Sequence, residues 1–280
     1  MGGIYESLMS WLGHVYQVII IDIKDMNKDN LPEIVIGEQT CDGHCLDTYI
    51  LEWNGQELNN LIEWETLTLS NAEIIDKNYD GVPELVMSGP FPSMGNMYGY
   101  IPIRGQKDIY SWNGNTFSLS YQEFSIPEYR FQAVQDGDRE ISYTHLDKAL
   151  SLYQYIIFDD KLEWWSKERR DHEDKIFYDS YNSITPIPSL YPKEDITEYP
   201  RLAAYAYYRI MLLHLVQGHE TDATTVYNTL QEKFGNDQYG HPYFEMATAF
   251  WDAYQSTHRM YDGCAAAIQY AAEHPDILIP

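Results

Sequence analysis

At 280 residues, with 44% hydrophobic and 15% aromatic side chains, the chain has enough apolar surface to fold as one large domain or two smaller ones, which argues against disorder. Its 43 acidic and 18 basic residues give a formal charge of −25, which repels phosphate backbones and anionic lipid and weighs against nucleic acid or a membrane surface as partner. No apolar run is long enough to span a bilayer.

Residues 8–23 are partly apolar, but His14, Tyr16 and Gln17 interrupt them and no basic segment precedes. They are expected to contribute a strand and not a signal peptide, so the chain is expected to lack a targeting signal of its own. Next comes Asp25-Met-Asn27-Lys-Asp29-Asn30-Leu31-Pro-Glu33-Ile-Val, and farther on Asp76-Lys-Asn78-Tyr-Asp80-Gly81-Val82-Pro-Glu84-Leu-Val. Both read D-x-N-x-D-[N/G]-x-P-E-[I/L]-V, and their closing glutamates lie 51 positions apart. Alternating oxygen donors in a tightly coiled loop converge on a hard cation, and an all-oxygen set selects Ca²⁺ over zinc or copper. The predicted ligands are the side chains of Asp25, Asn27, Asp29 and Glu33 with the carbonyl of Leu31, and those of Asp76, Asn78, Asp80 and Glu84 with the carbonyl of Val82. Position 6 must turn left-handed, which Gly81 does freely and Asn30 tolerates. The competing reading is a pair of Asx-rich turns whose carboxylates only cap backbone N–H groups.

Short β-branched runs flank each loop, Val18–Asp22 with Ile34–Gly37 and Ala72–Ile75 with Leu85–Met87, and predict hairpins. Each unit continues through an irregular segment, Glu38–Asp47 or Ser88–Asp108, to Tyr49-Ile-Leu-Glu-Trp53-Asn54-Gly55 or Ile109-Tyr-Ser-Trp112-Asn113-Gly114. Asn-Gly between strands predicts a further hairpin with positive φ at both residues. One unit is then four short antiparallel strands in about 50 residues, the size of a propeller blade. Within the first irregular segment Cys41 and Cys45 bracket C-D-G-H-C, where a local disulfide is expected, a Cys/His metal site with His44 being the alternative. The second holds Phe91, Met94, Met97, Tyr98, Tyr100 and Arg104 among Gly and Pro, aromatics that either bind glycan or peptide or pack on themselves.

A third, worn copy is expected at Asp136-Gly-Asp-Arg-Glu140-Ile141, with Gln132 and Val134 at its first ligand positions and strands at Tyr153–Phe158 and Leu162–Trp165. Residues 166–194 turn charged and then Pro/Ser/Tyr-rich and read as a linker. Beyond it, apolar positions recur at helical spacing over 198–217, 220–234, 242–257 and 260–273, with Thr221 or Asp222 capping the second helix and His241-Pro242 opening the third. Cys264 falls on an alanine-rich helical face as a buried free thiol. His214 and His219 flank a helix end with Glu220 beside them, but H-x₄-H is off the i, i+4 spacing of a helical zinc pair, which weighs against a metal role.

The predicted fold is therefore multi-domain α+β. An N-terminal antiparallel β-repeat, propeller-blade-like, covers residues 1–165, a linker covers 166–194, and a C-terminal domain of α-helical hairpins, close to a tetratricopeptide stack in size, covers 195–280. D-x-N-x-D-G-x-P-E-L-V followed by Y-x-x-W-N-G resembles the FG-GAP/VCBS repeats of integrin-α-type β-propellers, over residues 15–120 and weakly to 165. The resemblance implies a structural Ca²⁺ in each loop and blades that serve extracellular adhesion or ligand display. Asn30 in place of glycine, glutamate in place of aspartate at position 9, and the missing FG/GAP signature depart from that pattern.

Together with the cysteine pair, the loops point to an extracellular or cell-surface setting. The expected function is a non-enzymatic, calcium-stabilised binding or adhesion scaffold for protein or glycan, as part of a longer surface protein. The alternative is an extracellular hydrolase, or its accessory module, with a cleft between the β and α domains. Asp159, Asp160 and Glu163 are the carboxylates weighed for such a dyad. No G-x-S-x-G, P-loop or dinucleotide fingerprint is present.

Overall fold

The computed structural model describes residues 17–40, 45–62, 69–90, 102, 104–181 and 190–278. The chain divides into two compact units, Met1–Ser125 and Ile126–Pro280.

The first unit carries two four-stranded antiparallel sheets. One is formed by β1 (Gln17–Lys24), β2 (Glu33–Thr40), β3 (Cys45–Trp53) and β4 (Leu58–Asn60), the other by β5 (Asn71–Ile75), β6 (Glu84–Pro90), β7 (Gly105–Trp112) and β8 (Phe117–Phe124). Each is a simple meander in chain order. The acidic loops are the β1–β2 and β5–β6 connections, so each is gripped by hydrogen-bonded strands on both sides.

Strand alternation sends Val35 and Ile50, register partners, into a core with Leu61, Ile62, Leu69, Leu85, Met87, Tyr110 and Phe117, to which both sheets contribute. The other face of β2 and β3 packs Ile36 and Leu51 on Leu58. Backbone bonds also tie the sheets: Leu46 N–H donates to the Leu69 carbonyl at 2.8 Å and Phe117 N–H to the Leu61 carbonyl at 2.6 Å. Two four-stranded antiparallel sheets stand among the described residues, where a closed propeller uses about four to eight.

The Asn-Gly hairpins form as four-residue connections. Gly55 and Gly114 take φ of 98° and 100°, but Asn54 and Asn113 do not turn left-handed as expected. Their side-chain oxygens instead accept the backbone N–H groups of Gln56 and Glu57, and of Asn115 and Thr116, at 2.8–3.0 Å. That is an Asx turn, which replaces the expected two-residue type I′ loop.

The second unit is helical, and here the expected third repeat is overturned. Residues predicted as a worn metal loop and as the strand Tyr153–Phe158 form α1 (Arg130–Ser142) and α2 (Leu146–Phe158), while Leu162–Trp165 is neither helix nor named strand and meets Tyr129 in a single bridge at Glu163. Leu146, Ala149, Tyr153 and Ile156 recur at helical spacing, and the last three are fully buried. That burial overrides the strand preference of Tyr153–Phe158. Gln132 accepts the backbone N–H groups of Glu128 and Tyr129, and Asp136 pairs with Arg139 at 2.8 Å, so neither serves as a loop ligand. The β region accordingly ends near Ser125 and not at 165.

Part of the expected linker is also helical, as α3 (Lys167–Tyr181). Then follow α4 (Glu198–Val216), α5 (Glu220–Phe234), α6 (His241–Thr257) and α7 (Met260–Glu273), close to the predicted spans. Consecutive helices pair as α1 with α2, α4 with α5 and α6 with α7, while α4 also packs on α2 and α6. The core of this unit mixes large and small side chains: Tyr153, Phe250 and Met211 are fully buried in one cluster with Ala203, Ala206 and Ala247. Beneath it Arg130 donates to Glu198 at 3.2 Å, and Glu198 also accepts the Trp165 N–H at 3.0 Å, so the buried charges are paired. No described helix is long and apolar enough to cross a membrane.

Candidate metal centre

The two acidic loops share a set of backbone hydrogen bonds at positions 1, 3, 5 and 9. At position 1, an oxygen of Asp25 accepts the N–H of Asn30 at 3.0 Å, and one of Asp76 accepts that of Gly81 at 2.9 Å. At position 3, Asn27 accepts the N–H of Asp29 and Asn78 that of Asp80, both at 2.9 Å. At position 5, Asp29 accepts from Leu31 and Asp80 from Val82, both at 2.7 Å. At position 9, Glu33 accepts the N–H of Met26 at 2.6 Å and Glu84 that of Lys77 at 2.7 Å. Asn30 and Gly81 take φ of 71° and 82°, and a second left-handed residue stands at position 4, Lys28 at 65° and Tyr79 at 59°. These paired αL residues coil the backbone tightly enough for ligands two apart to share a face.

Asp25 spends both oxygens on the backbone, its Oδ1 accepting the N–H groups of Lys28 and Asn27 as well, whereas Asp29, Glu33, Asp76, Asp80 and Glu84 each spend one there. The Asx-turn reading explains those oxygens and leaves others without a role. Glu33 is fully buried, yet its Oε1 has no hydrogen-bond partner, and in the second loop the buried Asp76 Oδ1 has none. A buried carboxylate oxygen without a partner is costly, and such atoms call for an explanation. Burial pushes the Glu33 carboxyl above the usual carboxylate range; the Met26 N–H opposes this, and Asp29, Asp25 and Glu52 reinforce it. Accumulated negative charge around a buried acid is what a divalent cation relieves. The donor set, carboxylates and amide oxygens, fits Ca²⁺.

The structure adds a residue that pattern reading missed. Glu52, on β3, brings a carboxylate oxygen within 4.8 Å of ligand atoms of both Asp29 and Glu33. It reaches the loop through strand register: Ile34 faces Leu51, so Glu52 falls one residue farther, beside Glu33. Only the pairing of β2 with β3 reveals it. In the second sheet Leu85 faces Tyr110, which puts Ser111 at the corresponding place. Among the described residues no three acidic groups of the second loop meet as closely.

The other sequence candidates fall elsewhere. Cys41 and His44 lie outside the described residues, as do Phe91, Met94, Met97, Tyr98 and Tyr100; Arg104 stacks over the Phe124 ring at 5.2 Å. Cys264 is a half-buried free thiol. Of the carboxylates weighed for hydrolysis, Glu163 is held by Arg169 at 2.6 Å and Asp159 accepts the Lys161 N–H at 2.7 Å. The helical unit has a cavity of about 510 Å³, lined by Phe131, Trp165, Lys167, Arg170, Arg201 and the paired Glu198. Comparison with protein-family models, with curated proteins and with solved structures finds no match to this chain.

Proposed function

We propose that the first unit is a calcium-stabilised β-repeat of the FG-GAP/VCBS kind, and that the protein is a non-enzymatic binding or adhesion scaffold acting outside the cell on a protein or glycan. One observation carries the metal reading: two loops that share their backbone hydrogen bonds at positions 1, 3, 5 and 9 each retain a buried carboxylate oxygen, Glu33 Oε1 and Asp76 Oδ1, that no protein group satisfies. Asp25, Asn27, Asp29 and Glu33 with the Leu31 carbonyl would hold one ion, and Asp76, Asn78, Asp80 and Glu84 with the Val82 carbonyl the other. The ion supplies charge neutralisation and cross-links β1 to β2 and β5 to β6. A net charge of −25 raises local cation concentration and disfavours anionic polymers as ligands.

The test is a thermal melt of the full chain with Ca²⁺ and with chelator. An ion that binds only the folded loops adds about 2.7 kcal/mol per site at a hundredfold excess over Kd. The melting midpoint should therefore rise with free Ca²⁺, and Asp25→Ala with Asp76→Ala should abolish the rise; an unmoved midpoint in the parent chain sinks the reading. Calcium-dependent capture of the chain on glycan and matrix-protein arrays then tests the adhesion role.

A further inference from the structure

The turn between α4 and α5 builds a second, chemically different cluster. His214 stands in the last turn of α4, and the chain leaves that helix through Gly218, whose φ of 79° reverses its direction. The His219 N–H donates back to the His214 carbonyl at 2.8 Å, and the Gly218 N–H to the Leu215 carbonyl at 3.0 Å. This pair of bonds defines a Schellman motif, in which the residues at the two ends of the longer bond bring their side chains together. Here both are histidines, with ring centroids 6.2 Å apart. His219 is also the N-cap of α5 and Asp222 its third helical residue, the position whose side chain reaches back over the cap. Spacing off i, i+4 thus excludes only a site on one continuous helix. A helix-ending turn followed at once by a new helix start gathers the same residues by another route.

One nitrogen from each imidazole and one Asp222 oxygen lie within 4.8 Å of one another. His214 Nδ1 is buried without a hydrogen-bond partner, while His219 and Asp222 are exposed. We propose that His214, His219 and Asp222 form a binding site for a borderline divalent transition-metal ion of the Zn²⁺ class, separate from the acidic loops of the other unit. Two imidazoles and one carboxylate suit Zn²⁺ and disfavour Ca²⁺, and three protein donors leave a fourth position open to water or an external ligand. Tetrahedral bonds of about 2.0–2.2 Å put donors about 3.4 Å apart. Binding requires the exposed His219 and Asp222 side chains to rotate toward His214. The bound ion pins the end of α4 to the start of α5.

The experiment uses the full chain with Ca²⁺ at saturation, so that hard-ion sites are filled, and titrates Zn²⁺ against a chromophoric chelator. The parent chain should bind a Zn²⁺ ion whose affinity falls at least about tenfold in His219→Ala and in Asp222→Asn, both exposed positions where circular dichroism should report an intact fold. Nickel should selectively broaden the His214 and His219 imidazole resonances. A parent chain that binds no Zn²⁺, or affinity undiminished in both variants, overturns the proposal, and neither result bears on the calcium loops.

Discussion

The ammonium of Lys28, carried by the first acidic loop, donates a hydrogen bond to the backbone carbonyl of Asp80 in the second. Its terminal atoms also lie against Gly81, where an added Cβ would stand 3.2 Å from them. The Asp80 carbonyl is not one of the proposed ligands, so the lysine bridges the loops without occupying a coordinating oxygen. One positive charge is thereby fixed beside a cluster of carboxylates.

That charge opposes a cation in the second loop. A unit charge and a doubly charged ion about 8 Å apart in water repel by about 1 kcal/mol. Lys28→Gln should therefore tighten calcium binding at the second loop by about fivefold at low salt, with the gain shrinking as ionic strength rises. Two-site calorimetric titration of the parent and variant at two salt concentrations checks this, and a gain that ignores salt contradicts it.

Glu52 predicts an inequality between the repeats. With a further carboxylate near Asp29 and Glu33, the first loop should bind calcium more tightly than the second, where Ser111 stands instead. Glu52→Gln should weaken the first site about tenfold and leave the second unchanged. Equal affinities in the parent chain would remove Glu52 from the site.

Alkaline stability follows from the tyrosines. Burial, with Glu38 and Asp47 adding to it, raises Tyr49 to about 12, and burial raises Tyr208 to about 12 as well, while Tyr153 and Tyr205 are pushed higher still. Folded values above the unfolded one, near 10, mean that the folded state retains protons the unfolded chain has released. This contribution is complete below pH ~10 and is lost as pH rises through about 12. Tyrosinate absorbance should lag behind that of free tyrosine from pH ~10 and then rise cooperatively with unfolding. Smooth titration near pH 10 of all 25 tyrosines in the folded chain would falsify it.

Gly137 sits mid-helix in α1, where alanine is ordinarily the better residue by about 1 kcal/mol. Here an added Cβ would lie 2.8 Å from the Tyr153 ring, a side chain fully buried in the helical core. Overpacking costs about 1–3 kcal/mol. Gly137→Ala should lower stability to urea despite its helix preference, and a stabilised variant would show that the ring can move aside.

What was legible in the sequence was periodic. Alternation placed the strands beside both loops, and the 3.6-residue period placed α4 to α7 within about a residue or two of their ends. The D-x-N-x-D pattern located both loops and the left-handed backbone of Asn30 and Gly81. Asp136-Gly-Asp-Arg-Glu140 misled because the same residue types can lie in a helix, here with Asp136, Gly137 and Glu140 buried, and that assignment depends on Tyr153 and Ala149 packing from another element. Glu52 was illegible for a related reason: register, a property of two strands, brings it to Glu33. The pairing of His214 with His219 needed a turn type, which spacing does not encode.

Met26, second residue of the first loop, is wholly buried and belongs to the core that both sheets line, while its own N–H clasps Glu33. The loop is thus rooted in hydrophobic packing supplied in part by its sister repeat. Neither repeat owns a complete interior. What began in sequence as two copies of a self-contained module has become one indivisible folding unit, so excising either copy leaves its twin with half a core.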